Sequence, residues 1–592
     1  MGPEPAVAEG YTTRIREVDG CIVQARRQHR VCMASLAAIA VIGCGVFVAA
    51  LQTRAFPAWT ALAVIPFAVY AGRQAGRIQS RERKLFRLRG YYETGLARLN
   101  RDWSRLDGGE DHIDSEHPYA TDLDLFGRGS LFALLCSART QAGRSTLARW
   151  MRQPASIEEI SLRRAAILEL RDRRDLRERL AMAGDTGFAN CRMETFEEWL
   201  NEPPARFPWW AAPAAFLLAA STVALALLYW LWGAPVLPLL ASLSLQAAVS
   251  GALLRRVRAI LQSVRLPSIE LPLVCELLAI LERERFTSER LAALAQQPSA
   301  DLERLGRLFR LLEQRDNPMF TLPSNILLWG TQFAIAIERW RVRNGARMRG
   351  WLAAVGEFEA LMSLATYSYE HPRDVFPDFT HGGPLFEAEG LGHPVLDEAI
   401  CVRNDVRIGE GLQFLIVSGS NMSGKSTFLR AVGLNAVLAR MGAPVRCSRL
   451  RLSVLEVAAA IRVEDSLVNG RSRFMAEMER LRHMIDAAGR SPLLFLIDEI
   501  MIGTNSHDRR IAAEWVMRAL IRRGAIGLVT THDLALTEIA SHDGLGGDNV
   551  HFADSGESGV LEFDYRLRPG LLKTSNALNL VRLLGIDASV AG

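Results

Sequence analysis

The sequence predicts an α/β P-loop domain at the C-terminus, preceded by an all-α region interrupted by two transmembrane helical hairpins. Three observations carry this. A glycine-rich turn, Gly419-Ser-Asn-Met-Ser-Gly424-Lys425-Ser426-Thr427, lies between the apolar run Phe414–Val417 and a helical pattern over Phe428–Leu438. A second apolar run, Leu493–Ile497, ends in Asp498-Glu499. Four long uncharged stretches, at about 31–51, 55–72, 209–232 and 234–254, come in two pairs.

The glycine-rich turn has the strand–turn–helix context that a phosphate-binding loop requires. Its glycines let backbone N–H groups curl around phosphate oxygens, where the helix dipole adds positive potential. Gly419, Ser420, Asn421, Met422, Ser423, Gly424, Lys425, Ser426 and Thr427 are therefore the expected nucleotide-binding residues. Lys425 is placed to reach the β/γ-phosphates and the Ser426 hydroxyl to ligate Mg²⁺. The chain has 70 Lys+Arg but only three lysines, Lys84, Lys425 and Lys573. One of them stands where a compact ammonium fits and a forked guanidinium does not.

Leu493–Ile497 reads as a parallel strand buried on both faces. At its end Asp498 is placed to hold Mg²⁺, and Glu499 to orient and polarise an attacking water. A third apolar run, Ala525–Val529, leads to Thr530-Thr531-His532. Alone, His532 is a loop histidine; past the end of a strand, it is placed to sense a γ-phosphate. Glu499, His532 and Lys425 are thus the expected catalytic groups, and Ser426 and Asp498 the metal ligands. Met475–Ile485 reads as an amphipathic helix with Met478, Leu481 and Ile485 on one stripe, which sets Ser472 near its N-terminus.

These motifs together resemble the ATPase domain of the MutS family of DNA mismatch-repair proteins, within the ABC-type ATPases. The resemblance rests on Gly419–Thr427, Gly470-Arg-Ser-Arg-Phe-Met-Ala-Glu-Met478, Asp498-Glu-Ile500, Gly503–Ser506 and Thr531-His532 in the family's order. His393-Pro-Val-Leu396 and Asn404-Asp405 resemble the entry to that domain. Asp124–Gly127, Thr140–Gly143 and Leu147–Pro154 resemble the start of the family's helical core. The resemblance implies a homodimer with two ATP molecules sandwiched between protomers, Ser472 reaching the γ-phosphate held by the partner. It also implies that Asn421 senses nucleotide state and that Asn576–Leu584 completes the dimer contact. Three departures stand out: Arg473 replaces the usual Thr, Met501-Ile502 replaces a Gly-Arg pair, and Cys401 falls where an aromatic often stacks on adenine.

The first half of the chain departs from that family. Each uncharged stretch approaches the roughly 20 residues that a spanning helix needs. Arg14, Arg16, Arg26, Arg27 and Arg30 precede the first hairpin, and Arg73, Arg77, Arg81, Arg83 and Lys84 follow it. Arg206 precedes the second, and Arg255, Arg256 and Arg258 follow. Both hairpins read as entering and leaving on the cytoplasmic side of an inner membrane, with the N-terminus and the ATPase domain in the cytoplasm. These flanks account for much of the net charge of +5, which is therefore a weak sign of nucleic-acid binding. Eight cysteines without a C-x-x-C pair give neither a zinc site nor a disulfide framework.

The expected division is 1–107, a basic segment with the first hairpin and a helical linker; 108–206, the first part of a helical core; 207–256, the second hairpin; 257–381, the remaining core or lever; and 382–592, the ATPase domain. A Phe-x-Glu motif of the kind that mismatch readers use occurs only at Phe196-Glu-Glu198, inside a charged helical pattern, so mismatch reading by the usual route is not expected. Three readings follow: a membrane-tethered ATPase acting on DNA, an ATP-driven switch for a membrane or protein partner without DNA, and, last, an ABC-type transporter. The spans lack the intramembrane ionisable residues that a substrate path calls for.

Overall fold

The computed structural model describes residues 3–53, 63–184, 199–296, 300–316, 321–420, 422–462, 473–501, 506–542, 545–555 and 562–571. It opens with two long helices, α1 (Pro3–Thr53) and α2 (Ile65–Leu99), packed against each other as a hairpin. The first expected span lies wholly within α1. The second begins among residues outside the described set, and its C-terminal part is the start of α2. From Ile65 onward the end of that stretch and the expected linker are one continuous helix, because nothing between Ile65 and Leu99 breaks the pattern. Among the described residues, three helices are long and apolar enough to cross a membrane: α1, α7 (Ala211–Trp232) and α8 (Leu237–Ser263).

The second hairpin turns at Gly233, whose φ of 63° is the left-handed value that ends α7. Pro238 then occupies the first turn of α8, which starts three residues later than the sequence suggests and runs on to Ser263. Between the two helices Thr222 meets Ser242 at 2.6 Å, and Gln246 Nε2 donates to Thr222 Oγ1 at 2.7 Å. These bonds satisfy polar groups on an otherwise apolar pair and fix its register.

The helical body comprises α3 (Leu131–Leu135), α4 (Gln141–Arg152), α5 (Ile157–Arg171), α6 (Arg174–Met182), α9 (Arg265–Arg283), α10 (Glu289–Ala295), α11 (Ala300–Glu313), α12 (Thr321–Ile326) and α13 (Trp329–Glu370). Ser130, Thr140 and Ser156 cap α3, α4 and α5 with side-chain oxygens. The 42-residue α13 is the spine of the body, and α4, α5, α8 and α11 pack along it. It starts at Trp329, not at Ile326 where the apolar run begins, because Leu328 takes a left-handed φ of 48°.

In the C-terminal half, β1 (Asp378–Phe379), β2 (Leu385–Leu391), β3 (Asn404–Gly409) and β5 (Arg449–Leu452) form one sheet, in the order β1-β5-β2-β3. A second sheet of six strands has the order β10-β9-β4-β8-β7-β6. Its members are β4 (Phe414–Ser418), β6 (Glu456–Ala460), β7 (Leu493–Ile497), β8 (Ile526–Thr531), β9 (Gly547–Ser555) and β10 (Glu562–Pro569). All pairings within it are parallel except β9–β10. Leu415 and Val417 face one core together with α14 (Lys425–Met441) and the helical body. Phe414 and Ile416 face another core with α15 (Arg473–Ala488) and α16 (Ser506–Ile521). This two-sided burial explains why the central strands read as continuous apolar runs. The first of these cores is shared with α13, so sheet and helical body pack as one unit.

Candidate functional site

The loop between β4 and α14 bends sharply. Gly419 has φ 155°, Met422 70° and Gly424 101°, the last being the N-cap of α14. The bend turns the start of α14 toward a cavity of about 720 Å³. Met422, Gly424, Lys425, Ser426 and Thr427 line it, as do Asp498 and Glu499 at the end of β7. Lys425 lies over the loop, its Nζ donating to the carbonyls of Gly419 at 2.9 Å and Ser420 at 2.7 Å. Ser423 is buried, and its Oγ has no hydrogen-bond partner among the described residues. Asn421 and Ser472 lie outside the described residues.

Asp498 and Glu499 are held by a residue that the sequence reading passed over. The Thr530 hydroxyl donates to Asp498 Oδ1 and accepts the backbone N–H of Glu499 at 3.0 Å. Glu499 adopts φ 51° and Met501 φ 59°, left-handed values that are strained for side chains of this size. The N–H of Met501 donates to the buried Glu477 carboxylate at 2.5 Å, which ties the turn to α15. His532 follows β8 directly, with Nδ1 3.4 Å from Glu499 Oε1 and its ring about half exposed. Lys425, Ser426, Asp498 and Glu499 therefore meet around one cavity, while His532 reaches it through Glu499.

The opposite wall comes from the β2–β3 connection and from the β9–β10 pair. Leu391, His393, Leu396, Ile400 and Cys401 line one side; Phe552 and Tyr565 line another. His393 is held neutral, its pKa lowered to about 4 by burial and by the nearby Arg430 and Arg446 cations. Tyr565 presents an aromatic ring to the cavity that Cys401 does not supply. It sits at φ 55° inside a register shift between Phe563 and Leu567. Asn404 pins that irregularity by donating to the Tyr565 carbonyl at 3.0 Å and accepting from Leu567 N at 2.7 Å. Asn404 was visible in the sequence, but nothing local linked it to a residue about 160 positions away. Thr530 was visible as half of a Thr-Thr pair, and its β-branched place in the strand concealed its polar use.

Residues 415–591 match the family profile described as MutS domain V. The C-terminal half of the chain is MutS-like.

Relatives support the assignment over the same half. The chain is 32% identical over 266 residues to the DNA mismatch repair protein MutS of Natronomonas pharaonis, covering 43% of this chain and 29% of the relative. It is 33% identical over 251 residues to that of Geobacillus kaustophilus, covering 41% and 28%. With that of Nitratidesulfovibrio vulgaris it shares 30% over 317 residues, covering 52% and 32%. The chain thus spans under a third of the length of these curated MutS relatives.

Proposed function

We propose that this chain is a membrane-anchored MutS-like ATPase that binds ATP in the cavity beside α14 and hydrolyses it with Mg²⁺. One arrangement supports the reading: Lys425, Ser426, Asp498 and Glu499 converge on a single cavity of about 720 Å³ at the C-terminal edge of parallel strands. In open α/β sheets ligands bind at that edge. Lys425 neutralises phosphate charge after exchanging its loop carbonyls for phosphate oxygens. Ser426 and Asp498 would hold Mg²⁺, which supplies charge neutralisation on the phosphates. Glu499 takes the proton of the attacking water, and His532, in contact with Glu499, orients it. Tyr565 and the Ile400–Cys401 segment are placed to flank the base.

By the family resemblance the working unit is a homodimer, with Ser472 completing the partner's site and Asn421 sensing occupancy. The apolar surfaces of α1, α7 and α8 favour a multi-pass anchor in the cytoplasmic membrane. The exposed Trp209, Trp230 and Trp232 at the two ends of α7 suit its two interfaces. Action on DNA is carried by the names of the relatives alone. The alternative, an ATP-driven switch for a membrane or protein partner, is favoured by the direct packing of α8 on the spine helix α13.

Hydrolysis by the detergent-purified chain, with and without duplex DNA, tests both. Lys425→Ala should abolish nucleotide binding. Glu499→Gln should bind nucleotide yet hydrolyse about 10²–10⁴-fold more slowly, the usual contribution of a general base. Parental rates in Glu499→Gln would reject the assignment of the base. Salt-sensitive stimulation by DNA selects the DNA reading, and lysine-dependent hydrolysis indifferent to DNA selects the switch.

A further inference from the structure

The polar end of the α1–α2 hairpin is locked to the body by a buried cluster. Arg98 of α2 makes a two-pronged pair with Glu370, the last residue of α13, at 3.0 and 2.7 Å. Tyr11 of α1 donates to the same carboxylate at 3.2 Å and stacks on Tyr369, with ring centroids 6.3 Å apart. The Arg98 side chain is 2% exposed and that of Glu370 fully buried. Paired charges excluded from water do not slide past one another, because any shift leaves one of them uncompensated.

From this cluster two routes of direct contacts lead to the cavity wall. The first runs through His371, next after α13. Burial, with Arg446 and Arg101 nearby, keeps its ring neutral. Nδ1–H then donates to the Tyr367 carbonyl at 3.2 Å, leaving Nε2 to face the Arg101 guanidinium at 3.4 Å. Arg101 stands just past the end of α2, and the same guanidinium donates to the carbonyl of Leu396 at 3.4 Å. Leu396 lines the cavity. The second route runs from Tyr367 Oη to Asp374 at 2.6 Å, then through Arg446, which pairs with Asp374 at 3.0 Å and Glu398 at 2.9 Å. Glu398 lies in the segment between Leu396 and Cys401, both of which line the cavity. The backbone N–H of Arg446 donates to Asn435 of α14, the helix that begins at Gly424–Lys425.

We propose that the α1–α2 hairpin is mechanically coupled to the nucleotide cavity through Arg101 and Glu370, so that filling the cavity repositions the hairpin in the bilayer and the bilayer adjusts nucleotide affinity. This rests on the nucleotide and membrane readings above. Any movement of the 396–401 wall on closing around a base and ribose pulls on the Leu396–Arg101 contact and on the Glu398–Arg446–Asp374 pairs together. The hairpin then follows as a unit, since Tyr11 and Arg98 hold both of its helices to one carboxylate. Linkage makes the effect reciprocal: whatever the nucleotide does to the hairpin, a change imposed on the hairpin does to nucleotide affinity by the same factor.

The test uses the full chain in lipid nanodiscs, a non-hydrolysable ATP analogue with Mg²⁺, and hydrogen exchange of residues 85–101. A fluorescent analogue reports binding independently. In the parent, nucleotide should change exchange in 85–101 by about fivefold or more, the lower end of a usual coupling. Arg101→Ala should bind the analogue and lose that response, and Arg101→Lys should recover part of it. Analogue affinity should differ between thin and thick bilayers in the parent but not in Arg101→Ala. Exchange in 85–101 that ignores a bound analogue, or an Arg101→Ala variant that responds like the parent, overturns the proposal while leaving the nucleotide site intact. No analogue binding by the parent rejects the nucleotide reading and the coupling with it.

Discussion

His393 makes the fold sensitive to acid. Its pKa is lowered to about 4 by burial and by Arg430 and Arg446, so the unfolded chain binds its proton more readily than the folded one. Stability should therefore rise with pH between about 4 and 6.5, by about 2 kcal/mol for this group once its partial exposure is allowed for. Urea titrations across that window check it, and His393→Gln should flatten the slope by that amount. The Arg98–Glu370 pair is less forgiving. Arg98→Met leaves a buried carboxylate alone and should destabilise the protein by about 3–5 kcal/mol, whereas replacing both partners with apolar residues should recover much of the loss. On the proposed reading Thr530 bears on chemistry more than on folding, since its hydroxyl holds both Asp498 and the backbone of Glu499. Thr530→Val keeps the shape of the strand. It should lower kcat by about 10–100-fold, as outer-shell losses usually do, with Thr530→Ser restoring most of it. Equal rates in Val and Ser variants would remove Thr530 from the site.

At the scale of elements, the close approach of α1 and α2 depends on Gly95. A Cβ there would fall 2.6 Å from the Tyr11 ring, while one at Gly76 of the same helix meets nothing within 4 Å. Gly95→Ala should lower thermal stability by about 1–3 kcal/mol through overpacking, and Gly76→Ala should be neutral or slightly stabilising. The same contrast explains what the sequence could show. β4, β7 and β8 were legible because every residue in them is buried and the runs are short and apolar. The glycine-rich turn between β4 and α14 was legible because its glycines, Lys425 and Ser426 lie within nine consecutive residues. The other side of the cavity was not. Tyr565 reaches it through a register shift pinned by Asn404, and Arg446 meets Asp374 and Glu398 across long loops, so neither leaves a periodic trace. The Gly-Arg pair usual in the family at 501–502 also gains a reason. Met501 takes a left-handed φ that glycine adopts freely, and here burial of its side chain and the Glu477 bond offset the strain.

For the whole molecule, the charge flanking both hairpins predicts that the turn at Gly233 faces away from the compartment that holds the cavity. In intact cells an impermeant thiol reagent should label Gly233→Cys from outside, while Cys401 in the cavity wall stays unlabelled until the membrane is opened. Labelling of both before permeabilisation would reverse the orientation. The spine helix α13 then acquires a further significance. Its C-terminal residue, Glu370, is gripped by the first hairpin, whereas Glu338, more than half its length away, accepts from the backbone of Ala205 just ahead of the second. Those two residues are separated by roughly 48 Å of helix at 1.5 Å per residue, so a tilt of about 5° at the nucleotide end would sweep the far end through roughly 4 Å. An ångström-scale adjustment around a phosphate would thus arrive at the second hairpin as a lateral displacement comparable with the spacing between neighbouring lipid chains.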